Sequence, residues 1–227
     1  MKKTGLRSFL SPIRWIIVTG LVFFPASGEI NIPRAWIYMG IYAIGGLIIG
    51  FMLLKKVPKL MDERGKMQER TKRLDKYIIL TYFFFAIVVT PLVAGLDRRF
   101  GLVDTLPFFW LYIAIILYIF SIVFSVWPML HNPFFEGTVR IQKEKGHNVI
   151  NTGPYRIVRH PGYLGMLAGS AALPLALGSA LAFIPLGFII ILIIIRTYYE
   201  DTTLQKELPG YAAYCREVKY RLIPFIW

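Results

Sequence analysis

The chain has 227 residues, of which 56% are hydrophobic and only 17% charged, yet it carries a formal net charge of +13 from 26 Lys and Arg against 13 Asp and Glu. A disordered basic tail lacks such apolar content, and a soluble domain of this size carries roughly 25% charged residues, so the composition points to a bilayer. A single cysteine, Cys215, and three histidines exclude a disulfide framework and a zinc site built on paired cysteines.

A spanning helix needs roughly 17 to 25 apolar residues. The first apolar run, Trp15 to Ser27, is short, lies between Pro12 and Pro25, and follows a basic start. It reads as a retained helix, either tilted under a thinned interface or extended by the Ser11-Pro12 turn; a signal peptide is the rival, poorly matched because Phe23-Phe24-Pro25 offers no small-x-small cleavage site. Pro33 to Leu54, Tyr77 to Leu96 and Leu106 to Leu130 follow as full spans. Gly162 to Ile195 is a long apolar stretch broken at Gly178-Ser179, which predicts a hairpin of two short helices. The expected fold is an all-α integral membrane protein of about six membrane helices, the last two a short helical hairpin. Its two parts are residues 1–130, the N-terminal transmembrane helices, and 131–227, the core.

Orientation follows from charge, because cytoplasmic loops collect Lys and Arg. If the chain crosses at each span, 23 of the 26 basic residues fall on one side, which places the N- and C-termini in the cytoplasm. The histidines lie there too, so an active site is expected at that membrane face. The loop Lys55 to Lys76 reads as an anchor on anionic lipid. A high pI without a nucleic-acid motif gives no reason to expect DNA or RNA as a partner, and no metal ligand set is expected.

Residues 131 to 161 differ in texture from the spans before them. Thr138 to Gly146 reads as an extended or short amphipathic piece, Gly153-Pro154 as a turn, and Pro161 as the first residue of a helix. The free N–H groups behind Pro161 can bind an anion, with Arg159 and His160 adding positive charge. At the far end of the hairpin, Arg196 and Glu200 are four apart and share a helix face. By itself each feature also fits an ordinary basic flank or surface ion pair, but a hairpin brings its ends together, so these groups converge on one cleft.

In order and spacing, Gly146-His-x-Val to Gly153-Pro-Tyr155, Arg159-His-Pro-x-Tyr163, Arg196 before the acidic pair Glu200-Asp201, and the tail Gly210-Tyr211-x-x-Tyr214 to Arg221-Leu-Ile-Pro224 resemble the isoprenylcysteine carboxyl methyltransferase family and, more loosely, the phospholipid methyltransferases. The resemblance covers about residues 131 to 227 and implies S-adenosylmethionine as cofactor. It implies that His147, Asn148, Val149, Ile150 and Tyr155 contact the adenosine part. The amino acid part would meet His160, Pro161, Gly162 and Tyr163, with Arg140, or Gln142 after a small shift, as a further contact. Glu200 matches the family's cofactor-contacting acid, and Arg196 the residue that holds the acceptor, with Arg159 and Arg221 as further substrate-binding candidates. One departure stands out: the second acid of the usual Glu-Glu pair is Asp201.

A carboxylate acceptor is already a nucleophile and needs only a cation to place it, whereas an amine needs a base. Arg196 at the lipid boundary therefore favours carboxyl O-methylation of a membrane-embedded amphiphile such as a prenylcysteine-like substrate. The alternatives are methylation of a lipid amine or small thiol, a sterol-reductase-like enzyme using a nicotinamide cofactor, and a non-catalytic lipid-binding protein. The expected location is the inner membrane of a prokaryote or the endoplasmic reticulum of a eukaryote.

Overall fold

A computed structural model describes residues 3–64 and 72–227, so part of the basic loop read at 55–76 lies outside the described residues. All regular structure among them is helical. In chain order the helices are α1 (Lys3–Phe9), α2 (Ser11–Ser27), α3 (Pro33–Lys56), α4 (Pro58–Arg64), α5 (Arg73–Phe84), α6 (Thr90–Phe100), α7 (Phe109–His131), α8 (Pro161–Leu177), α9 (Phe183–Glu207) and α10 (Tyr211–Glu217). A π-helical turn at Phe85–Val89 joins α5 to α6, so Arg73–Phe100 is one continuous rod. Pro91 is the physical reason: it has no N–H to donate one turn back, and the widened turn takes up the mismatch while Thr90 Oγ1 donates to the Phe85 carbonyl at 2.9 Å.

Four helices are long and apolar enough to cross a bilayer: Pro33–Lys56, Arg73–Phe100, Phe109–His131 and Phe183–Glu207. Two more, Ser11–Ser27 and Pro161–Leu177, are apolar but shorter. The outer faces show what surrounds them. Ile44, Ile48 and Phe51 on α3, Tyr112, Ile116 and Ile119 on α7, and Ile184, Phe188, Ile191 and Ile195 on α9 are 45% to 62% exposed. Each set recurs at three- and four-residue steps, which is a continuous apolar stripe turned outward and suited to lipid.

The hairpin breaks where the sequence places it, with Gly178 in the left-handed region at φ 82°. Its two arms are unequal, however. α8 has 17 residues, whereas α9 has 25 and, beyond the Arg196 and Glu200 that the sequence places on one helix face, runs on to Glu207.

α8 is the centre of the bundle because its residues are small. A Cβ on Gly165 would lie 2.8 Å from Ser125 Oγ and 3.0 Å from the Phe124 backbone, and one on Gly169 would lie 2.7 Å from Ser121 Oγ, so α7 lies directly on α8. Gly45, Gly46 and Gly50 of α3 act in the same way, facing Tyr118, Pro12 and Phe9.

The connections 28–32, 101–108 and 178–182 meet at one end of the bundle. Arg34, counted with the outer loop in the sequence, is buried there. It donates from Nε to the Ala176 carbonyl at 2.9 Å, from Nη1 to Leu106 at 2.5 Å and from Nη2 to Leu175 at 2.7 Å, closing the open carbonyls of α8. Asp97 is also buried and accepts from Ser179 Oγ at 2.5 Å and the Val103 N–H at 3.0 Å. Cap and acceptor hold the turn between α8 and α9, which fixes where the hairpin's opposite ends meet.

Candidate active site

Those opposite ends, with the segment between α7 and α8, form the walls of an open cleft. The segment 132–160 has no strand; instead of an extended piece it holds two 3₁₀ turns, Lys143–Lys145 and Gly153–Arg156. It is folded by its own side chains. Asn132 accepts the Phe134 N–H at 2.8 Å and donates to the Tyr155 hydroxyl at 3.0 Å. His147 stacks on Phe134 with ring centroids 4.4 Å apart, and its Nδ1 accepts the Gln142 N–H at 3.3 Å. Tyr214 donates to the Tyr155 carbonyl at 2.7 Å and ties α10 across the opening.

The cleft wall contains Arg140, His147, Asn148, Val149, Ile150 and Tyr155 on one side, and Arg159, His160, Pro161, Gly162, Tyr163 and Glu200 on the other. These are the residues the sequence directs at a cofactor, with Arg159 added. Gln142 is 1% exposed, donates to the Phe134 carbonyl at 2.8 Å and does not line the cleft, whereas Arg140 does. Arg140 is nonetheless committed: it forks onto Glu136 at 2.7 and 2.8 Å and reaches Glu144 at 2.5 Å. The bonds to Glu136 chiefly push its guanidinium further above its already high range.

Arg196 and Arg221 are not brought into the cleft wall. Arg196 is 5% exposed; its Nε donates to Asp75 Oδ1 at 2.7 Å, and its Nη2 to the Gly137 carbonyl at 2.7 Å and Asp75 Oδ2 at 3.4 Å. Although Arg196 and Glu200 share a helix, the Arg turns to α5 while Glu200 faces the cleft and accepts the Tyr163 hydroxyl. Arg221 donates from Nε to Asp201 Oδ2 at 2.9 Å and lies over the Trp227 ring.

Asp201, the departure from the usual acid pair, is the hub beneath the site. Fully buried, it lies 3.3 Å from His160 Nε2 and 3.3 Å from Arg159 Nε, and accepts from Tyr211 at 3.1 Å, Gln205 at 2.8 Å and Arg221. Burial, reinforced by Asp201 and Glu200, pushes the Tyr211 hydroxyl far above its ordinary range and keeps it a donor. Backbone bonds from the Arg159 and His160 N–H groups to the Tyr220 and Arg221 carbonyls, at 3.0 and 2.9 Å, hold the same corner.

The residues present fit a cofactor with a cationic centre, a carboxylate and an aromatic base. Helix α8 starts at Pro161 with His160 as its N-cap and no side-chain cap, so its first turn is open to an anion. Beside it, Arg159 Nε and Thr138 Oγ1 are buried without a hydrogen bond, and both residues line the cleft. Glu200 offers a carboxylate that is in no ion pair among the described residues, and Tyr155, Phe134 and His147 offer flat faces. No cluster of three or more metal-ligating side chains is found among the described residues.

Sequence reasoning missed Asp75, one of four acids in a basic loop, and Thr138; neither type of residue announces a buried partner. Tyr211 and Tyr214 were legible in the tail motif, but not their bonds.

The model of the isoprenylcysteine carboxyl methyltransferase (ICMT) family matches residues 113–206. Two curated relatives are the Delta(14)-sterol reductase TM7SF2 of Mus musculus, 32% identical over 99 residues, and the Delta(14)-sterol reductase erg24 of Schizosaccharomyces pombe, 28% identical over 90 residues. The matches cover 42% and 38% of this chain but only 24% and 21% of the relatives, so the chain spans about a quarter or less of their length. The stretch that builds most of the cleft, from the first turns of α7 to the last turn of α9, is thus the stretch that matches the ICMT family, as its motifs imply.

Proposed function

We propose that the protein is an integral membrane methyltransferase that binds S-adenosylmethionine in this cleft, with residues 131–227 as its catalytic core, and acts on an amphiphile whose tail stays in the bilayer. The observation that carries the reading is the convergence in one wall of the uncapped α8 N-terminus, buried Arg159 and the unpaired Glu200 carboxylate. When bound, the cofactor supplies a methyl group on a sulfonium.

The chain's own residues hold and align. The first turn of α8 with Arg159 receives a carboxylate, and Glu200, fixed by Tyr163, receives a cation or hydroxyl. Tyr155, held by Asn132 and packed with Leu208, Tyr211 and Tyr214, forms an apolar wall for an adenine. Alignment alone lowers a displacement barrier by several kcal/mol, about 7 to 11 in the best intramolecular cases. The loop charges support a cytoplasmic cleft, because 23 of the 26 basic residues fall on one side if the chain crosses at each span.

Calorimetric titration of the detergent-purified protein tests this. Wild type is expected to bind S-adenosylmethionine, and Glu200→Ala and His160→Ala to lose binding; full binding by both variants rejects the assignment. The similarity to sterol reductases supports a second reading, reduction with a nicotinamide cofactor. A parallel titration with NADPH separates the two, since the methyltransferase reading requires the sulfonium cofactor to bind and the dinucleotide not to.

A further inference from the structure

Four arginines line or back the cleft, and each already faces a carboxylate of this chain. Arg140 is paired with Glu136 and Glu144, Arg159 and Arg221 with Asp201, and Arg196 with Asp75. The last pair is the most enclosed, with Asp75 0% and Arg196 5% exposed. Asp75 comes from α5, outside the family-matched stretch. It also accepts the Val139 N–H at 2.8 Å, while Arg196 holds the Gly137 carbonyl, so the pair fastens the cleft-lining backbone at Thr138 and Val139 from behind.

An acceptor carboxylate needs a free cation when it leaves water, because an unpaired buried charge is expensive. Asp75 already takes the charge and the Nε donor of Arg196 that such a carboxylate would use. The cleft meanwhile presents the Glu200 carboxylate, held by the Tyr163 hydroxyl and in no salt bridge among the described residues.

We propose that Asp75 is a specificity-determining residue: by neutralising Arg196 it turns the cleft away from carboxylates and toward amphiphiles whose reacting group is an amine or thiol. The proposal rests on the methyltransferase reading. The nitrogen or sulfur lone pair forms the new bond to the methyl carbon, the carbon–sulfur bond of the sulfonium breaks with its electron pair leaving on sulfur, and the acceptor's proton passes to the Glu200 carboxylate. Asp75 touches neither reactant and acts through Arg196.

The test uses one prenyl tail carrying a carboxylate, an amine or a thiol head, titrated into detergent-purified protein saturated with S-adenosylhomocysteine, so that the first turn of α8 and Arg159 are already filled by the cofactor product's carboxylate. Wild type is expected to bind the amine or thiol at least tenfold more tightly than the carboxylate. Asp75→Asn, confirmed by thermal unfolding to be folded, is expected to gain at least tenfold in affinity for the carboxylate, a gain that mere loosening of the wall does not produce. Tighter binding of the carboxylate by wild type, or an unchanged preference in Asp75→Asn, overturns the proposal. Should Asp75→Asn not fold, the wild-type preference decides, together with the product: methyl label that resists mild alkali supports it, and label released as methanol from an ester rejects it. The outcome is distinguishable from that of the S-adenosylmethionine titration: failure of the cofactor to bind rejects the methyltransferase reading, whereas cofactor binding with the wrong head-group preference rejects the role of Asp75 alone.

Discussion

Asp201 organises the site without lining it. Its carboxylate is the shared counter-charge for Arg159 and Arg221 and the partner of the His160 ring. Asp201→Asn keeps the shape and removes the charge, leaving Arg159 buried without a partner; the expected loss is about 3–5 kcal/mol of stability, read as a lower unfolding temperature in detergent, with a parallel loss of cofactor affinity. Arg196→Ala carries a similar cost because it strands Asp75, so loss of turnover in that variant is expected to come with loss of fold. His147 behaves differently. Burial holds its pKa below the ordinary 6.5, and the neutral ring accepts the Gln142 N–H. The unfolded chain therefore takes up a proton before the folded one does. Stability from this ring is complete above about pH 6.5 and declines as pH falls from there through the lower folded value. Denaturation followed from pH 7.5 to 5 is expected to show that decline, and His147→Gln to flatten it.

Among the elements, the 3₁₀ turn at Gly153 and the start of α8 depend on glycine for separate reasons. Gly153 has φ 58°, and a Cβ there would lie 2.5 Å from the His131 ring. Gly153→Ala is expected to cost about 1–3 kcal/mol through strain alone, and more through the collision with α7. At Gly162 a Cβ would lie 2.5 Å from the tip of the Phe135 ring, which itself lines the cleft. Gly162→Ala is expected to displace that ring and weaken cofactor binding more than it lowers the unfolding temperature. The two variants compared by titration and unfolding separate a turn that holds the loop from a contact that shapes the cleft.

For the whole molecule, the two ends of the bundle have opposite chemistry. One end is closed by Arg34 and Asp97 on the turn between α8 and α9; the other is the cleft with Arg140, Arg159 and Glu200 in its wall. If the cleft faces the cytoplasm, Cys215 is reached by an impermeant thiol reagent only after permeabilisation. An Asp104→Cys variant is labelled in intact cells; the reverse pattern rejects the orientation.

Helix positions, the break at Gly178 and the order of the cleft motifs were legible in the sequence, because each rests on local chemistry: apolar run length, a residue able to adopt positive φ, and side chains adjacent on one turn. The end of α9 was not legible, because hydropathy stops at Ile195 and the i, i+4 spacing reaches only Glu200, whereas helical hydrogen bonding continues through polar residues to Glu207. Spacing also placed Arg196 and Glu200 on one face, yet long side chains choose partners by what packs against them. Only the tertiary structure brings α5 against α9 and sets Asp75 on Arg196, so the sequence alone determined a membrane bundle with a methyltransferase-like cleft, while folding decided which of its charges remain free to meet a ligand. A buried charge must find its counter-charge wherever the chain supplies one, and here it comes from 121 residues away.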